Sequence, residues 1–180
     1  QTKINLVSSD SIGEIWTRHF LDSLQLKKFI PENANSVLDF GTGAGFPGMV
    51  LAIAGVKNIF LVDSDAKKIS FLREVSRVTK TDVDITHDRI EKIRSNNFSV
   101  ILSRAVSPLD DLLQHASRFV SHETICLFPK GKNFATEIED AKKNWRFSLD
   151  ILPSVTDENA VILRISTLQP REDVYGKKSN

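Results

Sequence analysis

Residues 37–50 read VLDFGTGAGFPGMV, an apolar run followed by four glycines within eight positions. Four of the chain's 8 glycines fall in this one turn. Glycine lets the backbone turn tightly and lets a ligand approach the main chain. The preceding SVLDF reads as a buried strand and the following PGMVLAIAG as a helix. Such a helix start offers free N–H groups and the positive end of a dipole, which suits a carboxylate or a phosphate. Pro47 fits the first turn of that helix, where its missing N–H is no loss.

Outward from this turn, strands and helices alternate. NIFLVD is a second apolar strand, and AKKISFLREVSRVTK a helix with Ile69, Leu72, Val75 and Val78 facing inward. There follow a short strand VDIT, a short helix from Asp88, the strand FSVILS, a helix from Pro108 to about Phe119, and the strand TICLFP. ATEIEDAKKNW reads as a further helix, and FSLDIL and AVILRIS as two closing strands. Ahead of the glycine turn, residues 11–30 read as a helix with Ile12, Ile15, Trp16, His19, Phe20 and Leu24 on one stripe. Alternation of this kind calls for a parallel sheet covered by helices on both faces. The short connection between the last two strands permits only an antiparallel pair. The expected architecture is therefore an α/β, Rossmann-like, seven-stranded, mostly parallel sheet with one reversed strand near its end.

Two glycine templates overlap in the turn. Gly43, Gly45 and Gly48 satisfy the G-x-G-x-x-G spacing of dinucleotide-binding folds. Asp39, Gly41, Gly43 and Gly45 satisfy D-x-G-x-G-x-G, similar to the first motif of class I S-adenosylmethionine-dependent methyltransferases. Asp63 ends the next strand, suited to accept hydrogen bonds from both hydroxyls of a ribose. A purely structural role is the alternative, with the glycines allowing close packing and Asp63 capping a helix. The methyltransferase template is favoured by Asp39 ahead of the first glycine, an acid within reach of the amino group of a methionine moiety and so counted with the cofactor-binding residues, by the reversed closing hairpin, and by the lack of a residue set for hydride chemistry. The expected cofactor is S-adenosylmethionine.

Ligands of such sheets bind at the carboxyl ends of the strands. In HDRIE, Asp88 and Glu91 have capping-box spacing, while the main chain of Ile90 and Glu91 is placed to meet adenine. Ser103-Arg104-Ala105 ends the fourth strand. No Asn/Asp-Pro-Pro-aromatic run stands there to orient an exocyclic amine. Cys126 lies mid-strand, as a small buried hydrophobe rather than a nucleophile. An acceptor that needs neither base nor covalent intermediate remains, and guanine N7 meets that requirement. Arg104 would hold guanine O6, a phosphate or the cofactor carboxylate. Lys130, in FPKGK, is a candidate phosphate contact with Lys132 behind it, or else a solvated lysine. His19 and Asp22 fall one turn apart in RHFLDSL; a satisfied core histidine is the default, and two residues do not make a metal site.

The chain has 180 residues, 41% hydrophobic and 26% charged, with net charge +1. That suits one domain, taken as residues 1–168 with an N-terminal helical part at 1–30 and a polar tail at 169–180. The chain begins at Gln1, so an N-terminal portion is expected to be missing. No apolar run is long enough for a membrane span, and the lone Cys126 fits a reducing cytoplasm. Residues 66–104 carry nine Lys/Arg against five Asp/Glu, an excess that attracts polyanions.

NLV, RHFLDSL, DFGTGAGFPG, LVDSDAKKISFL, DRIE, SRAV and PKG occur in the order seen in the RsmG (GidB) family, which the chain resembles over roughly residues 4–132. The family places a methyl group on N7 of a guanosine in small-subunit (16S) ribosomal RNA. The resemblance implies a cofactor site using Gly41, Phe46, Ile90, Glu91 and Arg104, and ribosomal RNA or the small subunit as partner. The family usually reads NLT where this chain has Asn5-Leu6-Val7, and the tail LQPREDVYGKKSN matches its usual basic ending poorly. Other expectations from the residues are a methyltransferase for another RNA, a protein or a small molecule, or a non-catalytic nucleotide-binding module.

Overall fold

The computed structural model describes residues 13–94, 96–104 and 107–171. Seven strands form one sheet in the order β3-β2-β1-β4-β5-β7-β6. They are β1 (Val37–Phe40), β2 (Ile59–Asp63), β3 (Asp84–His87), β4 (Val100–Leu102), β5 (Ile125–Lys130), β6 (Trp145–Pro153) and β7 (Val161–Pro170). Pairing is parallel from β3 through β5, whereas β7 runs antiparallel to both β5 and β6. One reversed strand near the end was the sequence expectation. The strand order reverses between β1 and β4, which opens a crevice at their carboxyl ends.

The central strands β1, β2, β4 and β5 read as apolar runs because both sheet faces are covered there, whereas the edge strands β3 and β6 are largely exposed. Along β1 the side chains alternate: Leu38 and Phe40 join one core cluster, and Val37 joins the other. The first cluster takes in α4 (Leu109–Ala116) and α5 (Phe134–Asn144); the second takes in α2 (Gly48–Ile53) and α3 (Ala66–Thr79). By the same alternation Asp39 shares the face of Val37 and points toward α2. Cys126 is buried in the first cluster, where desolvation pushes its thiol up to about 12.

The N-terminal helical segment departs most from expectation. It winds as a π-helix over Trp16–Leu21, as one α turn over Asp22–Leu24 (α1) and as a 3-10 stretch over Gln25–Phe29. These pitches differ from 3.6 residues per turn, so the predicted stripe does not hold together. Trp16 is 74% exposed and Leu24 is exposed too, while Ser23, Gln25 and Leu26 are buried. Ile12 lies outside the described residues, as do Asn5-Leu6-Val7 and residues 172–180. Val78, expected inward on α3, is exposed near the helix end, where Lys80 takes a left-handed conformation. Asp65, not Asp63, caps α3 by accepting the N–H groups of Lys67 and Lys68.

The predicted last helix ends one residue early, because Trp145 opens β6 instead. β7 in turn runs to Pro170, taking in two residues of the expected tail. Trp145 is buried, and its indole N–H donates to Asp110 Oδ1 at 2.9 Å, as does Asn144 Nδ2 at 3.0 Å. This one carboxylate ties α4 to the α5–β6 junction. Asp110→Ala would leave a buried indole donor without its partner, which costs about 1–3 kcal/mol. Urea unfolding should show that loss, and an unchanged midpoint would contradict the assignment.

Candidate active site

The glycine turn is held by two carboxylates. Asp39 Oδ2 accepts the Thr42 hydroxyl at 2.6 Å and the Gly48 N–H at 2.8 Å. Asp63 Oδ2 accepts the Gly43 N–H at 2.8 Å, while its Oδ1 accepts the N–H of Asp65 at 2.9 Å. Two amides of the turn, Gly41 and Thr42, also donate to the carbonyl of Val62. Gly48 must lack a side chain because a Cβ there would lie 2.6 Å from Asp39 Oδ2. Gly45 has φ +92° and would place a Cβ 2.6 Å from that of Met49.

Asp39 is 0% exposed, so in this conformation its carboxylate serves the turn and opens onto no cavity. Its Oδ1 is buried without a hydrogen-bond partner among the described residues. Desolvation pushes its acid constant up to about 7, against the opposing hydrogen bonds of Thr42 and Gly48 and the nearby charge of Arg104.

Two cavities open near the carboxyl ends of the strands, the first of them reaching the turn at Gly41. The first, of about 340 Å³, brings together Gly41, Asp63, Ile90 and Glu91, with Phe40 and Leu112 as apolar walls. Sequence reasoning missed two contributors from α4 and its end. His115 lines this cavity and stands 3.8 Å from Glu91, and Arg118 fixes the loop by donating to the carbonyls of Ile90 and Ile93. Only the packing of α4 against that loop places them there; no local motif signals it. The loop itself forms a 3-10 turn at Ile90–Lys92 with no side-chain cap, so the capping box of Asp88 and Glu91 does not form. Asp88 Oδ1 instead accepts the N–H of Arg89.

The second cavity, of about 620 Å³, is lined by Arg104 and Lys130, by Arg18 and Asp22 of the N-terminal segment, and by the β6–β7 connection. Arg104 donates from NH1 to Asp22 Oδ2 at 3.2 Å and to the Arg18 carbonyl at 3.1 Å. Its NH2 lies 2.7 Å from His19 Nδ1. The guanidinium also rests 5.0 Å from the ring centroid of Phe46, which joins this cavity to the glycine turn. The Arg104 and Asp22 side chains are only 19% and 17% exposed, so theirs is not a solvated surface pair.

Lys130 is not solvated either, its side chain being 5% exposed. Its ammonium reaches Glu137 Oε2 at 2.6 Å and the Ser107 carbonyl at 2.6 Å. The same Glu137 oxygen accepts the N–H of Leu109 at 2.9 Å. Lys130 thus fixes the start of α4 from inside, while Lys132 is exposed. Ala105, in the predicted SRA motif, lies outside the described residues. Among the described residues no three His, Cys, Asp or Glu side chains gather as a metal site, and no helix is long and apolar enough to cross a membrane.

A family model described as GidB, rRNA small subunit methyltransferase G, matches residues 1–162. The chain belongs to the GidB family. A ribosomal RNA small subunit methyltransferase G of Rhodospirillum centenum is 42% identical over 168 residues, covering 93% of this chain and 78% of that one. The same-named protein of Paramagnetospirillum magneticum is 41% identical over 165 residues, covering 92% and 80%. The fold is shared more widely. The ribosomal protein L11 methylase of Lactobacillus delbrueckii subsp. bulgaricus superposes with a TM-score of 0.66 at 15% identity, over 80% of this chain and 75% of that one. TYW2 of P. horikoshii, in complex with MeSAdo, gives 0.64 at 14% identity over 84% and 62%.

The residues present suit the S-adenosylmethionine of GidB methyltransferases. Asp63 offers a carboxylate acceptor to ribose hydroxyls at the first cavity, and Phe40, Ile90 and Leu112 offer apolar walls to an adenine.

The buried Asp39 makes the fold pH-sensitive. Its constant is raised above the unfolded value, so its stabilising effect is full at acid pH and is lost as pH rises through about 7. Asp39→Asn should abolish that decline and leave the unliganded protein more stable than wild type above neutrality. Urea unfolding at a series of pH values checks this; parallel pH profiles for both proteins would refute it.

Proposed function

We propose that this protein transfers a methyl group from S-adenosylmethionine to N7 of a guanosine in small-subunit ribosomal RNA. The observation that carries this reading is the position of Arg104. It lies two residues past the end of β4, lines an open cleft, and touches through Phe46 the turn that bounds the cofactor cavity. Family membership and the names of the relatives support the RNA substrate.

The chemistry of the cleft favours an acceptor that brings its own lone pair. The chain's one thiol is buried with its constant raised, so no thiolate is available. Guanine N7 carries a lone pair and no proton, and can attack a sulfonium methyl without a base. S-adenosylmethionine, when bound, supplies that electrophilic methyl. The protein's share is alignment, worth roughly 7–11 kcal/mol of barrier in the best cases. Asp63 and the Ile90–Glu91 main chain hold the adenosine end. Asp39 keeps the glycine turn in shape, with Gly41, Gly43 and Gly45 giving the bend and Phe46 backing the guanidinium. Arg104 holds guanine O6, a phosphate or the cofactor carboxylate, since N7 itself must stay free during transfer. Lys130 acts through the protein, setting the segment that follows Arg104, and the exposed Lys132 is better placed to meet phosphate. Exposed cations such as Lys67, Arg73, Arg89 and Arg94 favour an RNA partner. An enzyme of this substrate works in the cytoplasm.

Tritiated S-adenosylmethionine with small subunits from cells lacking the modification tests the whole reading. Alkali-labile label at one guanosine is expected; label in protein, in another base, or in neither would overturn it. Calorimetry that found tight NAD binding and no S-adenosylmethionine binding would point to a nucleotide-binding module instead.

Single substitutions test the residue roles. Arg104→Ala removes charge-assisted hydrogen bonds of about 1.5–3 kcal/mol, or about 10- to 150-fold in rate. Asp63→Ala should weaken S-adenosylmethionine binding at least about tenfold, and unchanged affinity would remove it from the ribose.

A further inference from the structure

We propose that His19 is a positioning residue for Arg104, and that its neutral imidazole is the form in which the guanidinium is set for methyl transfer. The inference rests on the role given to Arg104 above. A guanidinium has five donors and no acceptor. At 2.7 Å from Arg104 NH2, His19 Nδ1 therefore accepts, and the ring proton of the neutral form sits on Nε2. The imidazole and the guanidinium rest on the same aromatic ring, 5.1 Å and 5.0 Å from the centroid of Phe46. Phe20 meets that ring edge-on at 5.3 Å, completing a small aromatic seat.

The other two acceptors of Arg104 come from the same segment and are themselves fixed. Asp22 Oδ1 accepts Gln25 Nε2 at 2.8 Å and the Thr156 hydroxyl at 2.9 Å, which leaves Oδ2 for Arg104. The Arg18 carbonyl belongs to the π-helical stretch, which ends as the chain tightens into α1. One irregular helix thus presents three acceptors to one guanidinium. This gives a reason for its departure from a regular 3.6-residue pitch.

Protonation would undo the arrangement. His19 Nδ1 would become a donor facing a donor, with two cations side by side. Among the described residues, the charged groups that act on the ring are Arg104, just past β4, and Arg18 and Asp22 from its own segment. Burial, Arg104 and Arg18 hold the imidazole below its ordinary range, and Asp22 opposes them. Neutral His19 therefore dominates at physiological pH, and the contact is lost only on the acid side. Methyl transfer should carry an acid limb that belongs to His19 and to neither substrate lone pair nor cofactor.

The test measures kcat for methyl transfer to small subunits, from about pH 5 to pH 8, at saturating S-adenosylmethionine. Wild type should lose rate on the acid side. His19→Asn keeps an amide oxygen near the place of Nδ1 and has no proton to gain, so it should retain most of the rate and lose the limb. His19→Ala lacks any acceptor and should run about tenfold below wild type near neutral pH, with no acid limb of its own and the gap closing as wild type protonates. Melting temperatures of both variants keep folding separate from rate, and if the alanine variant does not fold, the limb of His19→Asn decides. An unaltered limb in His19→Asn, or a wild-type rate in His19→Ala, overturns the proposal. Arg104→Ala, run alongside, separates the two claims. Full activity in that variant removes the role of Arg104 itself. Impaired Arg104→Ala with unaffected His19 variants removes only the role of His19.

Discussion

The site depends on two acids at the carboxyl ends of neighbouring parallel strands, each gripping the glycine turn through main-chain N–H groups. Asp39 holds Gly48 at the start of α2, and Asp63 holds Gly43 in the middle of the bend. A backbone with three positive-φ glycines would otherwise sample many shapes. The grip fixes one of them and sets the mouth of the crevice that the strand order creates. Asp63 does this on the lining of a cavity, whereas Asp39 does it in full burial. The two similar acids therefore differ in setting: one borders a cavity, and the other is an internal fastener whose charge is costly to hide.

Arg104 is the counterpart on the side of the larger cavity. It leaves the sheet at β4, crosses the face of Phe46 and ends among acceptors of the N-terminal helical segment. The segment before the sheet is thus coupled to the strand ends through one guanidinium. Lys130 has a parallel duty on the next strand, where it and Glu137 clasp the start of α4. Both cations work inside the molecule in this conformation. A ligand that recruits Arg104 must compete with Asp22 or share the guanidinium with it.

Much of this was legible in the residues. The strand, turn and helix of residues 37–50 follow from apolar runs and glycine spacing, and the reversed strand follows from a connection too short for a crossover. The grouping of Gly41 and Asp63 follows from adjacent parallel strands. What escaped depends on pitch and on distant packing. The stripe of residues 12–24 assumed a regular helix, and a π turn followed by a 3-10 stretch moves Trp16 and Leu24 outward. Lys130 reads as a free cation because its partner Glu137 lies beyond the strand on α5. His115 joins the first cavity through the crossing of α4, and Arg118 beyond it ties down the loop of Ile90 and Ile93; no motif signals either. The capping box in HDRIE does not form because the N-cap of the 3-10 turn is Arg89, which puts Asp88 one residue too early.

The burial of Cys126 has a practical side. Its thiol sits in the sheet core with its constant near 12, so almost none of it is ionised at neutral pH. Toward maleimides and other soft electrophiles the native fold thus behaves as if it had no sulfhydryl at all. A cysteine introduced on any exposed position would be the sole reactive handle. Fluorophores or spin labels can be attached to the rim of the cleft lined by Arg104 and Lys130 without first stripping the molecule of its own sulfur.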